Sequence, residues 1–252
     1  MFSLKLKPIS LAVFAVVAAT SVSYAEDAIK VEKVEVISTT PLSGIGLSAD
    51  KIPANIQVVN SNKMTEQSSL TIADYMNSNM QGVSVVETQG NPFQPDVRFH
   101  GFNASSLLGA PQGLSVYQDG VRLNEPFGDV VSWDLVPMNA IKQMQIIPGT
   151  NPLFGLNTLG GAISLQTKRG RDVRGGAIEL SGGSFGRKNA QFEYGDVSSN
   201  GLDFFISGNY YDENGWRDAS PTTIRQVFGQ VCLLYTSPSP RDRSVSRMPS
   251  SA

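Results

Sequence analysis

The chain has 252 residues, of which 40% are hydrophobic and 17% charged, and a formal net charge of −2. Lys5 and Lys7 sit in the first 25 residues, and Arg241, Arg243 and Arg247 in the last 21, so the segment between is distinctly acidic and has no basic stripe of the kind that nucleic-acid binders carry. One Cys and one His exclude a Cys/His zinc cluster and any disulfide within the chain.

Residues 1–25 read as a secretory signal peptide. Lys5 and Lys7 form a positive start, an apolar run follows, and Ser23-Tyr24-Ala25 places small residues where a cleavage site needs them. The alternative is a membrane anchor, but the run is short for a span of about 30 Å. No later stretch approaches about 20 apolar residues, which argues against a helical membrane protein.

Residues 26–50 contain one β-prone run, Val34-Glu35-Val36-Ile37-Ser38-Thr39, closed at once by Pro41 and Gly44. A short strand with no local partner suits pairing with another protein by strand addition, and a plain linker is the competing reading.

Residues 51–170 alternate short strands with short helices. Residues 56–59 read as a strand. Ser68-Ser69 is the expected cap of a helix over 70–79, where Leu70, Ala73, Met76 and Met80 recur at helical spacing. Residues 83–86 form the next strand. Residues 96–102 alternate as one strand, with Val97 and Phe99 against Arg98 and His100. Residues 114–123 read as a hairpin turning at Asp119-Gly120. A short helix over 138–142, a strand over 143–149 and a strand over 160–167 complete the segment.

Residues 171–231 change in texture. Segments 177–181, 190–194 and 202–210 put apolar residues on one face and polar residues on the other, separated by Gly- and Ser-rich turns, and 226–231 opens a fourth. Strands of about ten residues with one apolar face are the pattern of a transmembrane β-barrel. A soluble β-sandwich shares part of that pattern. Residues 232–252 break it. Cys232-Leu233-Leu234-Tyr235-Thr236-Ser237-Pro238-Ser239-Pro240-Arg241-Asp242 is similar to the in-frame translation of a sequencing-library adapter, so 232–252 is read as a non-native tail, with a genuine disordered tail as the alternative.

Four landmarks in fixed order carry a family resemblance. They are Val97-Arg98-Phe99-His100-Gly101-Phe102, Val116-Tyr117-Gln118-Asp119-Gly120-Val121, Ile147-Pro148-Gly149, and residues 154–163 with Gly155, Gly160 and Gly161. Together with the run 34–39 they make residues 26–231 resemble the TonB-dependent receptors of Gram-negative outer membranes. His100 stands where that family more often has Arg. The resemblance implies an α+β plug domain, a small mixed sheet with short helices, followed by the first antiparallel strands of a transmembrane β-barrel of about 22 strands. It further implies a cell outer membrane location with the plug inside the barrel, and a TonB box, Val34 to Thr39, facing the periplasm. The expected partners are TonB with its inner-membrane energising proteins, outer-membrane lipid and a small nutrient such as a ferric siderophore.

By family position two loops face the outside, and Phe93, Gln94, Phe127 and Asp129 are the candidate ligand contacts. Arg98, Gly101, Asp119, Gly120, Gly149, Gly160 and Gly161 are expected to be structural in the plug. The glycines lack the Gly-Lys-Ser/Thr of a phosphate loop. No cofactor, metal site or catalytic constellation is implied, since His100 is the sole imidazole. The function this implies is energy-coupled uptake, not enzymatic turnover. A secreted plug-like binding module without a barrel is the alternative.

Overall fold

The computed structural model describes residues 36–37, 47–48, 54–67, 69–150 and 154–233. The leader, Val34, Glu35, Ser38, Thr39 and the tail from residue 234 lie outside the described residues. Of the expected TonB box, the backbone of Val36–Ile37 (β1) is described. It pairs antiparallel with Leu47–Ser48 (β2).

The plug is organised around a five-stranded mixed sheet. Its strands are Gln57–Asn60 (β3), Leu114–Gln118 (β7), Val121–Arg122 (β8), Ile141–Pro148 (β9) and Gly161–Thr167 (β10), in the order β3-β9-β10-β7-β8. β10 runs parallel to β7 and antiparallel to β9. One face of this sheet is apolar, with Val116, Met144, Ile146, Ile163 and Leu165 fully buried. Against it packs helix α2 (Ile72–Asn79) through Ile72, Ala73 and Met76. A second sheet, Val83–Val86 (β4), Asp96–Phe99 (β5) and Phe102–Ser105 (β6), closes the same core with Val97 and Phe99. Trp133 fills the remaining corner and satisfies its indole N–H by donating to the Ala104 carbonyl at 3.1 Å.

Several elements differ from the sequence expectation for identifiable reasons. The cap of α2 is Thr71, not Ser68-Ser69. Its hydroxyl accepts from the Asp74 N–H at 3.1 Å, so the helix starts two residues later than expected. A helix over Ser61–Glu66 (α1) was not anticipated, because a six-residue stretch with one buried apolar residue, Met64, shows no period. The strand expected over 96–102 is a hairpin. His100 and Gly101 form its turn with φ of 48° and 89°, and Phe99 pairs with Phe102. His100 is therefore a turn residue, not a strand-face one. Its ring lies edge-on to Phe99 at 4.2 Å. The expected helix over 138–142 is a single 3₁₀ turn, Met138–Ala140, and β9 begins at Ile141.

After a one-turn helix, Gly170–Val173 (α3), four strands follow as an antiparallel meander: Gly175–Gly182 (β11), Lys188–Val197 (β12), Leu202–Glu213 (β13) and Thr222–Leu233 (β14). Their two faces differ. Along β13, Asp203, Phe205, Ser207, Asn209, Tyr211 and Glu213 are buried, and Leu202, Ile206 and Tyr210 alternate with them as exposed residues. On β11 and β14, Ile178, Leu180, Val227 and Val231 are exposed. β14 continues through Cys232 and Leu233, which pair with Asp203 and Leu202. Ladder bonds come from the backbone, so the pairing runs two residues past the compositional break at 231.

Candidate functional site

The plug has two ends, each tied by side chains to neighbouring loops or strands. At one, where β7 and β10 begin and β9 finishes, four loops converge: residues 88–95, 106–113, 124–132 and 154–160. Backbone bonds tie them together. Val131 N–H donates to Ser105 O at 2.9 Å, and Leu159 and Gly160 N–H both donate to Gly113 O at 3.0 and 2.9 Å. Ser106 Oγ donates to Gln94 O at 2.9 Å. Arg122, on β8, reaches the same cluster. It donates to Asp129 at 3.2 Å and to the Leu156 carbonyl at 2.7 Å. Asn157 donates to the other oxygen of Asp129. Asp129 thus joins loop 124–132 to loop 154–160.

The four residues expected to contact ligand occupy different environments. Phe127 is 77% exposed. Gln94 is half-buried, and its backbone closes a turn on Asn91 at 3.1 Å. Phe93 is buried, with its ring 5.0 Å from that of Tyr211 on β13 in an edge-to-face arrangement. Asp129 faces Arg122 and Asn157, as described above. The structure therefore pairs Phe127 with Asp129 in one loop and Phe93 with Gln94 in another.

Phe93 belongs to a cluster that sequence reasoning did not find. Tyr211 is fully buried and its hydroxyl donates to Glu213. Arg187 Nε and Nη2 donate to the two oxygens of Glu213 at 3.1 and 3.3 Å. The Arg187 guanidinium also lies 5.9 Å from the Tyr211 ring centroid. Burial pushes the Asp74 carboxyl of α2 above its usual range, while the Arg187 charge and the Thr71 N–H pull it back down. Loop and strand residues this far apart in sequence leave no local signal.

The other end of the plug is held where β7 turns into β8 and β10 finishes. Asp119 and Gly120 adopt φ of 49° and 85°, the left-handed pair of a tight hairpin. The Asp119 carboxylate then accepts from Thr167 N–H at 2.9 Å and from Thr167 Oγ1 at 2.6 Å. The side-chain amide of Gln230 on β14 lies 3.1 Å from that hydroxyl. Close by in sequence, Lys168 pairs with Glu193 of β12 at 2.6 Å, and Arg171 with the buried Asp203 of β13 at 2.7 Å. Asn139 donates to the carbonyls of Phe192 and Gly208 at 3.3 and 3.1 Å. The plug is thereby bonded to the polar face of the meander along its whole height.

The remaining expected positions lie on this frame. Arg98 is exposed on β5 and makes no ion pair among the described residues. Gly101 is the second residue of the β5–β6 turn. Gly149 has φ of 92° with open space where a Cβ would sit. Gly160 lies under the Phe102 ring. Gly161, with φ of 138°, brings its backbone so close to the Ile147 carbonyl that a Cβ would collide with it.

Comparison with known proteins agrees with this geometry. Residues 48–162 match the TonB-dependent Receptor Plug Domain. A vitamin B12 transporter of Vibrio vulnificus is 24% identical over 174 residues, covering 69% of this chain and 27% of the relative. An iron-regulated outer membrane virulence protein of Vibrio cholerae is 23% identical over 175 residues, covering 69% and 26%. The chain thus spans about a quarter of the length of these relatives. Among solved structures, FpvA of P. aeruginosa bound to heterologous pyoverdines superposes with a TM-score of 0.59 at 17% identity, covering 77% of this chain and 24% of FpvA. The ferric yersiniabactin uptake receptor FyuA of Yersinia pestis gives 0.53 at 18%, covering 77% and 30%. Residues 48–162 thus match the plug domain of TonB-dependent receptors, and with the antiparallel strands that follow them the chain shares the fold of these solved receptors.

Proposed function

We propose that this chain serves energy-coupled uptake of a scarce nutrient, a ferric siderophore or similar iron chelate, across the outer membrane of a Gram-negative bacterium. The observation that carries the reading is the placement of the plug. It is bonded at both ends to the polar face of a strand meander, through Phe93 and Tyr211 at one end and Thr167 and Gln230 at the other. Ile178, Leu180 and Val227 of the meander are exposed, as side chains facing lipid are. The relatives' names, a vitamin B12 transporter and an iron-regulated outer membrane protein, support the same class.

In this reading the nutrient settles on the loop end of the plug, with Gln94 and Phe127 in contact and Phe93 and Asp129 holding their loops in place. The Val34 to Thr39 segment faces the periplasm and pairs with TonB as an added strand, so that main-chain bonds give affinity with little demand on sequence. TonB, energised by inner-membrane proteins, pulls on that segment. Apart from the aromatic contact of Phe93 with Tyr211, the bonds between plug and strands are polar and individually modest, about 1–3 kcal/mol each. They are of a strength that a mechanical pull can break one after another. No chemical turnover is involved.

The test is fractionation and uptake with the protein encoded by the complete reading frame. Recovery in the outer membrane, and iron-chelate uptake that stops when TonB or the proton gradient is removed, is the expected result. Recovery in the soluble periplasm contradicts it.

A further inference from the structure

The seat of Phe93 is built by charge as well as by packing. Pro92 and Pro95 restrict the backbone on either side of Phe93 and Gln94, so this part of loop 88–95 moves as one piece. Within it the Phe93 N–H donates to Asn91 Oδ1 at 2.9 Å, and the Gln94 N–H to Asn91 O at 3.1 Å. Phe93 is buried against Tyr211 of β13, and Gln94 beside it is half-buried. Where the Phe93 ring sits therefore sets where Gln94 stands.

Tyr211 is held in turn by the wall. Its hydroxyl donates to Glu213, which is 8% exposed. A carboxylate buried to that degree needs a cation and hydrogen bonds to stay there. Arg187 supplies both. It follows the Ser184–Gly186 turn between β11 and β12, and its Nε and Nη2 donate to the two Glu213 oxygens at 3.1 and 3.3 Å. The same guanidinium lies 5.9 Å from the Tyr211 ring centroid. Phe93, Tyr211, Glu213 and Arg187 thus form one contiguous chain from a plug loop to the outer turn of the wall. On the plug side, the Asp74 carboxyl of α2 also feels the Arg187 charge.

We propose that Arg187 is a positioning residue for the solute loop: through Glu213 and Tyr211 it holds Phe93, and with it Gln94, where solute is received. The inference rests on the uptake reading and extends it by giving a wall residue control of a plug loop. Removing one partner of the ion pair leaves a buried charge unmatched, whereas removing both does not. A double variant therefore separates positioning from general damage, and the effect of Arg187 on Asp74 is common to the single and double variants.

The test uses the receptor encoded by the complete reading frame, purified from outer membranes. It reads hydrogen exchange in the 88–95 peptide against that of β10, and equilibrium dialysis of two probes, a ferric tris-hydroxamate and a ferric tris-catecholate. Arg187→Met is expected to speed exchange in 88–95 about tenfold with β10 unchanged, and to weaken the tighter-bound probe about tenfold. The Arg187→Met, Glu213→Gln double variant is expected to return both to within about threefold of the unaltered receptor. Tyr211→Phe keeps the ring and the ion pair, and is expected to loosen the loop about threefold, which keeps the test decisive if Arg187→Met fails to fold. Unchanged exchange in 88–95, or a double variant no better than the single one, overturns the inference. So does unaltered probe affinity in a receptor whose loop has loosened. If the unaltered receptor binds neither probe, the iron-chelate reading fails, and the exchange comparison alone decides the role of Arg187.

Discussion

The Phe93 ring of the plug meets the Tyr211 ring of β13 edge-to-face, with centroids 5.0 Å apart and both side chains buried. This contact fixes the loop 88–95 to the wall of strands, and the Arg187–Glu213 pair stands behind it. Phe93→Ala is expected to destabilise the plug by about 3 kcal/mol, the usual cost of emptying a buried phenylalanine site. Trp133, buried in the plug core, reports the loss. In a Trp216→Phe background it is the sole tryptophan of these 252 residues, and the denaturant midpoint it reports is expected to fall.

The glycines of the fourth landmark separate two physical demands. Gly161 needs both its positive φ and the space beside Ile147 O, whereas Gly149 needs the φ alone. Gly149→Ala is expected to cost about 1–2 kcal/mol. Gly161→Ala is expected to cost more, because backbone displacement adds about 1–3 kcal/mol. Denaturation of the two variants, followed by Trp133 fluorescence, tests the order. Equal costs would show that the close approach of β9 and β10 relaxes freely.

Asp119 combines a turn and a tether. Asp119→Asn keeps a residue that tolerates left-handed backbone but weakens the bonds to Thr167, and is expected to cost about 1 kcal/mol. Asp119→Ala loses both and is expected to cost about 2–3 kcal/mol. Hydrogen exchange at the Thr167 amide is expected to accelerate in the same order.

The Asp74 carboxyl carries a pH dependence of definite sign. Burial raises its pKa in the folded plug above the ordinary value of 3.8, against the opposing pull of Arg187. The folded state therefore binds the proton more tightly than the unfolded state. Its stabilising contribution is present below about pH 3.8 and is lost as pH rises through the raised folded value. Asp74→Asn is expected to remove this slope while keeping a capping side chain. Arg187→Met is expected to move the loss to higher pH, since it deletes the charge that holds the carboxyl down. Denaturation midpoints across pH 3 to 7 check both.

What the sequence revealed depended on how local each signal was. The Asp119–Gly120 hairpin was legible because two adjacent residues encode its turn. The equally tight hairpin at His100–Gly101 was not, since the apolar alternation of Val97 and Phe99 runs straight into it. The plug and strand identities were legible in the order of four landmarks, each a constraint on backbone approach. The cap expected at Ser68-Ser69 is at Thr71 because serine and threonine both satisfy a cap, and the Asp74 N–H that bonds the Thr71 hydroxyl is fixed only in three dimensions. Phe93 was legible as a loop residue, but its environment is set by Tyr211, Glu213 and Arg187, which lie far along the chain. The Arg122–Asp129–Asn157 tie was hidden for the same reason.

The central claim is that force applied to the Val34 to Thr39 segment drives uptake through a plug that binds its solute independently. Val36 pairs through its backbone with Ser48, and proline at this position removes the N–H that any strand partner needs. The most direct measurement compares solute binding and solute uptake in cells carrying Val36→Pro in the complete receptor. The account predicts binding unchanged and uptake abolished. Uptake at the unaltered rate would contradict it.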